Sequence, residues 1–307
     1  MSIIVTGANG FVGYNLIPKL KARFEGFNII ALHRSSLINE VDGVIFKQVD
    51  LNIIESIIEI INDFSPKYII HLAAESSVAI SWDQPVRSFN NNINIYLNLI
   101  DAVRQSNFNP LILSIGSSEI YGKVLRLNVP LNEKSIINPI SPYAVARASQ
   151  EAISKVYVEG FGLKIIMTRS FNHLGIGQDL RFFIPSVIKQ IFDSNLSSLN
   201  LGNLDIVRDY IDIDDVTNAY IELLTKGKSG QVYNVCNGNG HTLKQIVLKA
   251  METANIFKPI RSNNSLLRPN DNPIIIGDNS KLKNLTDWEP EFSLEISLKK
   301  IIEHEKT

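Results

Sequence analysis

Tyr143 and Arg147 stand four residues apart, a spacing that puts both side chains on one face of a helix. An isolated phenol ionises near ~10, so at neutrality it is a competent acid and a poor base. A cation beside it, joined by the positive ring of an oxidised nicotinamide, stabilises the phenolate and lets the group pass a proton. Ser117, in Gly116-Ser117-Ser118-Glu119, adds a hydroxyl that can donate to a carbonyl oxygen as charge develops there. These residue types suit hydride transfer at a carbonyl carbon. The chain also offers a place for a hydride carrier, because Thr6-Gly7-Ala8-Asn9-Gly10-Phe11-Val12-Gly13 joins a strand pattern to a helical one. In such a turn Gly7 permits a sharp bend, Gly10 lets backbone approach a pyrophosphate, and Gly13 lets the helix pack closely. The helix start around Phe11 and Val12 then turns its free N–H groups toward the phosphates. A site that selects NAD places an acid about 20 residues past the glycines. Here His33-Arg34-Ser35-Ser36 fills that place, and no acid follows before Glu40. Arg34 suits a 2′-phosphate, so NADP(H) is expected ahead of NAD(H), which stays possible.

Such residues need a frame that brings them together. Short apolar runs alternating with helical stretches predict parallel βαβ units, with strands at 2–6, 27–33, 44–49, 68–72, 110–115 and 164–168. Helices are predicted at about 11–24, 53–63, 85–106 and 142–160. Pro85 and Pro142 open the two long helices, Ser141 caps the second, and Gly160 is expected to end it. The fold class is therefore α/β, a Rossmann-type doubly wound parallel sheet. Past residue 172 the alternation breaks and Asn, Gly and Pro become frequent, which points to a smaller C-terminal α/β lobe. Residues 1–172 with 207–236 are assigned to the dinucleotide domain, and 173–206 with 237–307 to the substrate lobe. Thirty basic residues against thirty-one acidic ones leave a net charge of −1, so no global field favours nucleic acid or an anionic membrane. The lone cysteine, Cys236, excludes an internal disulfide. No apolar run is long enough to span a bilayer and no cleavable leader precedes the first strand, so a cytoplasmic location is expected, without a metal site.

The motifs taken together resemble the extended short-chain dehydrogenase/reductases that act on nucleotide sugars. TGANGFVG at 6–13, HLAAESSV at 71–78, SSEIYG at 117–122, SPYAVAR at 141–147 and RPNDNP at 268–273 carry the resemblance over essentially the whole chain. It implies that Ser117 polarises a carbonyl, Tyr143 donates the proton, and Leu72, Ala73, Ala74 and Asn92 line the cofactor site. It further implies that Asp50 and Leu51 lie beside the adenine. The second half is similar to GDP-4-keto-6-deoxy-mannose reductases, on Ser170-Phe171-Asn172-His173-Leu174-Gly175, Val207-Arg208-Asp209-Tyr210 and YNVCNG at 233–238. By that resemblance Asn172, Arg208 and Arg268, with Ser77 and Ser118, hold a nucleotide sugar, GDP-linked by preference. The long helices 85–106 and 142–160 would pack against their copies in a homodimer. Two departures keep alternatives open. The family motif ends in Lys where this chain has Arg147, which fits a working variant or a catalytically weak dinucleotide-binding protein. Glu119 follows Ser117-Ser118 as the base of a 4,6-dehydratase does, so a dehydratase or 4-epimerase holding NAD(P) stands beside the reductase.

Overall fold

The computed structural model describes residues 1–35, 40–266 and 270–306. The chain begins β1 (Ser2–Thr6), α1 (Phe11–Arg23), β2 (Asn28–His33), β3 (Ile45–Gln48), α2 (Ile54–Phe64) and β4 (Pro66–His71). A short α3 (Val78–Asp83) and the long α4 (Pro85–Gln105) lead to β5 (Leu111–Ser117), followed by α5 (Pro142–Phe161) and β6 (Lys164–Ser170). These strands and a later one, β10 (Val232–Val235), form one parallel seven-stranded sheet in the order β10-β6-β5-β4-β1-β2-β3. The order reverses between β1 and β4, and a crevice opens outside the carboxyl ends of strands at such a point.

Alternation along β1 explains how both faces of the sheet are covered. Ile3 and Val5 pack with Leu16, Ile17 and Leu20 of α1 and with Val216, Tyr220 and Leu223 of α7 (Ile213–Lys226). Ile4 faces the other way, toward Ile57 and Ile61 of α2 and Ile95, Tyr96 and Leu99 of α4. Each such side chain removed from water contributes ~1.5–3 kcal/mol, so the two layers fix the sheet between them. Ser141 caps α5 by accepting a hydrogen bond from the Ala144 N–H at 3.1 Å, with Pro142 in the first turn. The helix ends at Gly162, not Gly160, because residue 162 takes the left-handed conformation at φ +72°.

The remaining chain is less regular in sequence and builds smaller units. It runs β7 (Asn172–Leu174), α6 (Phe183–Phe192), β8 (Leu199–Leu201), β9 (Val207–Asp212), then α7 and β10, then β11 (Gly240–Thr242) and α8 (Leu243–Ala254). It closes with β12 (Ile260–Ser262), β13 (Ile274–Ile275), α9 (Ser280–Thr286) and α10 (Leu294–Glu305). Strands β7, β11 and β13 all pair with β9, while β8 pairs with β12. Ile184, Val187, Ile188 and Ile191 of α6 pack on Ile246 and Val247 of α8 and Leu298 of α10, a third core. Thus β9 lies in the second sheet although α7 and β10 return to the first, and Leu282 and Trp288 near the C-terminus complete the large core.

Candidate functional site

The turn after β1 fits a dinucleotide pyrophosphate by what it lacks. Gly7 has φ +70°, and a Cβ there would meet the Ala73 backbone nitrogen at 2.7 Å, so both shape and space demand glycine. A Cβ at Gly13 would meet the Ala8 carbonyl oxygen at 2.5 Å, which shows that this glycine packs the helix on its own entry turn. Gly10 is the N-cap of α1, no side chain caps it, and no acid lies in the first turn. The N–H groups at Phe11, Val12 and Gly13 thus begin a helix whose positive end is left for an anion. Thr6 ties this turn to β4: its Oγ1 accepts from the Ala73 N–H at 3.2 Å and meets His71 Nδ1 at 3.0 Å. Leu72, Ala73 and Ala74 follow directly beside the glycines, in keeping with the register Thr6 to His71. Asn92 is buried and spends its amide on the Glu75 backbone, accepting from the N–H at 2.7 Å and donating to the carbonyl at 3.1 Å. Its place is therefore that of a clamp on the loop after β4. At the end of β2 Arg34 is exposed, and its carbonyl accepts from Gln48 Nε2. Ser36 lies outside the described residues. Asp50 is exposed, and hydrogen bonds from the Asn52 N–H and side chain hold its carboxyl below the usual range; Leu51 beside it is buried.

Ser117, Tyr143 and Arg147 come together from β5 and α5. Parallel pairing runs β5 out to Ser117 opposite Ser170, beyond the end of β4, so Ser117 stands at the carboxyl edge. Its Oγ accepts from the Glu119 N–H at 3.2 Å, an arrangement that starts the 3-10 turn Ser118–Tyr121 and leaves its proton for another acceptor. Glu119 projects from that turn and Ser118 is buried within it. Helix α5 packs on this turn and on β5, and its Arg147 lines one small cavity with Ser117. The Arg147 guanidinium carbon lies 5.2 Å from the centroid of the Tyr143 ring, and Arg147 itself is buried. His71 faces this region from β4. Burial, aided by the Arg147 charge, pushes its imidazole down to about 3, so it is neutral wherever the protein works.

On the far side Ser77 caps α3, its Oγ accepting from the Ile80 N–H at 3.2 Å. Asn172 opens β7 and donates to the Asp209 carbonyl at 3.4 Å. The Arg208 guanidinium is already engaged, by Asp271 at 2.7 Å and by the Asn272 carbonyl at 2.7 Å. A ligand diphosphate would compete there with a carboxylate. Arg268 lies outside the described residues. What sequence reasoning missed is the layer beneath: Gln150 and Ser114 line a small cavity with Ser117, Arg147 and Thr168. Only the helical spacing of Arg147 and Gln150 hinted at it.

The model of the family described as GDP-mannose 4,6 dehydratase matches residues 4–301. GDP-6-deoxy-D-mannose reductase of Pseudomonas aeruginosa is 30% identical over 305 residues, covering 98% of this chain and 95% of the relative. GDP-6-deoxy-D-talose 4-dehydrogenase of Aggregatibacter actinomycetemcomitans is 30% identical, covering 93% and 91%. Among solved structures, RMD from Pseudomonas aeruginosa complexed with NADPH superposes with a TM-score of 0.86 at 29% identity, covering 98% and 97%. UDP-glucose 4-epimerase from Thermotoga maritima with UDP-glucose gives 0.91 at 28% identity, covering 100% and 99%. A glycine turn fitted to a dinucleotide, a serine–tyrosine pair at the sheet's carboxyl edge and a family match over nearly the full length agree: the chain belongs to the GDP-mannose 4,6 dehydratase family, NAD(P)-dependent oxidoreductases of nucleotide sugars.

Proposed function

We propose that the protein uses NADPH to reduce the C4 keto group of a GDP-4-keto-6-deoxy sugar. The observation that carries this reading is the chain-long likeness to a GDP-6-deoxy-D-mannose reductase, and Arg34 at the end of β2 supports the 2′-phosphorylated coenzyme. The bound nicotinamide supplies the hydride. Gly7, Gly10 and Gly13 seat its pyrophosphate, with Leu72, Ala73 and Ala74 alongside. Ser117 donates a hydrogen bond to the carbonyl oxygen and keeps its proton, Tyr143 delivers the proton that completes the alcohol, and Arg147 supplies the charge that stabilises the phenolate left behind. The substrate lies toward the lobe built on β7 and β9, with Ser77, Ser118 and Asn172 at its border. The test is a coupled assay. GDP-4-keto-6-deoxy-mannose should be consumed with oxidation of NADPH, and GDP-mannose alone should be untouched. Conversion of GDP-mannose alone to a 4-keto product would overturn the reductase in favour of the second reading, a dehydratase with retained NAD(P), which Glu119 beside Ser117 favours.

We also infer a twofold dimer through α4 and α5. In support, Val145, Ala152 and Val156 form an exposed uncharged stripe along α5, and Phe89, Ile93 and Leu97 are only partly covered on α4. Light scattering should give twice the 34.4 kDa chain mass, and Val156→Glu should lower it.

A further inference from the structure

Arg147 is held in an unusual way for a buried cation. One nitrogen, Nη1, donates to Gln150 Oε1 at 2.6 Å and to the Ile115 carbonyl at 3.2 Å. Nε is buried and has no partner. The nearest acid on the helix, Glu151, is spent elsewhere: it pairs with Arg169 at 2.9 Å and with Lys155 at 2.8 Å. Among the described residues only neutral groups therefore bind the guanidinium, and no contact there cancels its charge. Gln150 is itself fixed, because its Nε2 donates to Ser114 Oγ at 2.9 Å and to the Ile115 carbonyl at 3.2 Å. Turning the amide over would set N–H against N–H at Arg147 and oxygen against oxygen at Ile115, so its orientation is determined by the network. Gln150 is 2% exposed, which makes the cost of losing any of these bonds high.

We propose that Gln150, oriented by Ser114, is the positioning residue through which an arginine serves beside Tyr143: it occupies one end of the guanidinium without neutralising it and turns the unbonded Nε edge toward the cavity under Ser117. A planar, delocalised cation needs such a hold, since its charge is spread over three nitrogens and which edge it presents depends on how the fork is turned. An amide is suited to the task where a carboxylate is not. It accepts the same hydrogen bond, yet leaves the full positive charge to act on the phenol. The other titratable groups facing this spot do not change charge near neutrality. His71 on β4 is neutral, burial pushes the Tyr220 phenol on α7 up, and Glu151 on α5 is held ionised by Arg169 and Lys155 against the effect of burial. Glu119 is the acid in the turn after β5.

The proposal rests on Tyr143 as proton donor, but its test needs neither coenzyme nor substrate, so the two can fail separately. The phenolate absorbance of each protein, minus that of its Tyr143→Phe counterpart, is titrated in the ligand-free state. Arg147→Met sets the full effect of removing the charge. Gln150→Glu, which keeps the acceptor and cancels the charge, should move the Tyr143 titration upward by about one pH unit, most of the Arg147→Met shift. Ser114→Ala, which takes away one of the two acceptors that hold the amide, should move it the same way by less. A folded Gln150→Glu protein that titrates at the native pH would overturn the proposal. Should Gln150→Glu fail to fold, an unchanged titration in Ser114→Ala overturns it instead. In the same proteins dinucleotide binding measured by fluorescence reports separately on the proposed function.

Discussion

At the scale of single residues the site divides its labour between groups that meet the substrate and groups that hold them. Tyr143→Phe removes one oxygen from a helix that has its own cap at Ser141 and its own stop at Gly162. The fold and the glycine turn should therefore be untouched, whereas proton delivery to the new alcohol is lost. General acid catalysis of this kind contributes ~10²–10⁴-fold, so kcat should fall by at least about a hundredfold with coenzyme affinity retained. Steady-state kinetics beside a dinucleotide binding curve checks this, and a parallel loss of binding would mean that Tyr143 acts mainly as structure. The placement of Arg147 against Tyr143 was legible in the sequence because it follows from helical spacing. The roles of Asn92 and Gln150 were not, since a buried amide acquires its partners only when two distant segments meet, here Glu75 and Ser114.

At the scale of elements the first half of the chain was readable except for the short α3, with limits within two residues of those observed for β1 to β6 and for α1, α2, α4 and α5. The reason lies in period: strands buried on both faces and long amphipathic helices each repeat their pattern often enough to stand out. In the second half the longer elements were readable as well, the helix headed by Asp212, the strand at 232–236, the helix capped by Thr242 and the one near 293–305, which are α7, β10, α8 and α10. The shorter elements were not, and for two reasons. Strands such as β7, β8 and β13 have two or three residues, too few for any period, and exist because β9 or β12 pairs with them. Helix α6 did carry its signal in Ile184, Val187, Ile188 and Ile191, but Pro185 and the polar segments around it masked the pattern. The junction of β1 with α1 makes the most specific demand on sequence. Gly7→Ala must both adopt a left-handed φ and push a methyl into the Ala73 nitrogen, so β1 and the loop after β4 have to part. We expect a loss of ~1–3 kcal/mol in unfolding free energy and a dinucleotide affinity at least tenfold weaker, measured by denaturant melts and fluorescence titration. An unchanged affinity would show that the turn does not seat the coenzyme.

At the scale of the whole molecule, buried titratable groups set how stability changes with pH, and two kinds oppose each other. His71 and His173 are buried and neutral, pushed by burial from the ordinary 6.5 down to about 3 and about 4. The unfolded chain binds protons there that the folded chain refuses, so stability falls as pH drops below about 6.5, by on the order of 1 kcal/mol per pH unit for each histidine. Asp209 acts in reverse. Three N–H groups, of Asn237, Gly238 and Gly277, donate to its carboxylate, yet burial outweighs them and pushes it from 3.8 up to about 7. The folded chain therefore holds a proton that the unfolded chain releases between about 4 and 7, and stability falls over that window as pH rises. Below about 6.5 the two histidines outweigh the one aspartate, and the opposing slopes cancel close to pH 7, where the maximum lies. Urea unfolding at stepped pH should show this. In Asp209→Asn the decline just above pH 7 should vanish and the fall on the acid side should steepen by about one proton, alongside a pH-independent loss of ~1–3 kcal/mol from the N–H group left facing an amide. In His71→Leu the acid slope should instead shrink by about one proton. Because Thr6 loses its partner at the end of β1 in that variant, its dinucleotide affinity should weaken together with the altered slope; a slope that matches the native protein would mean that His71 is charged in the fold.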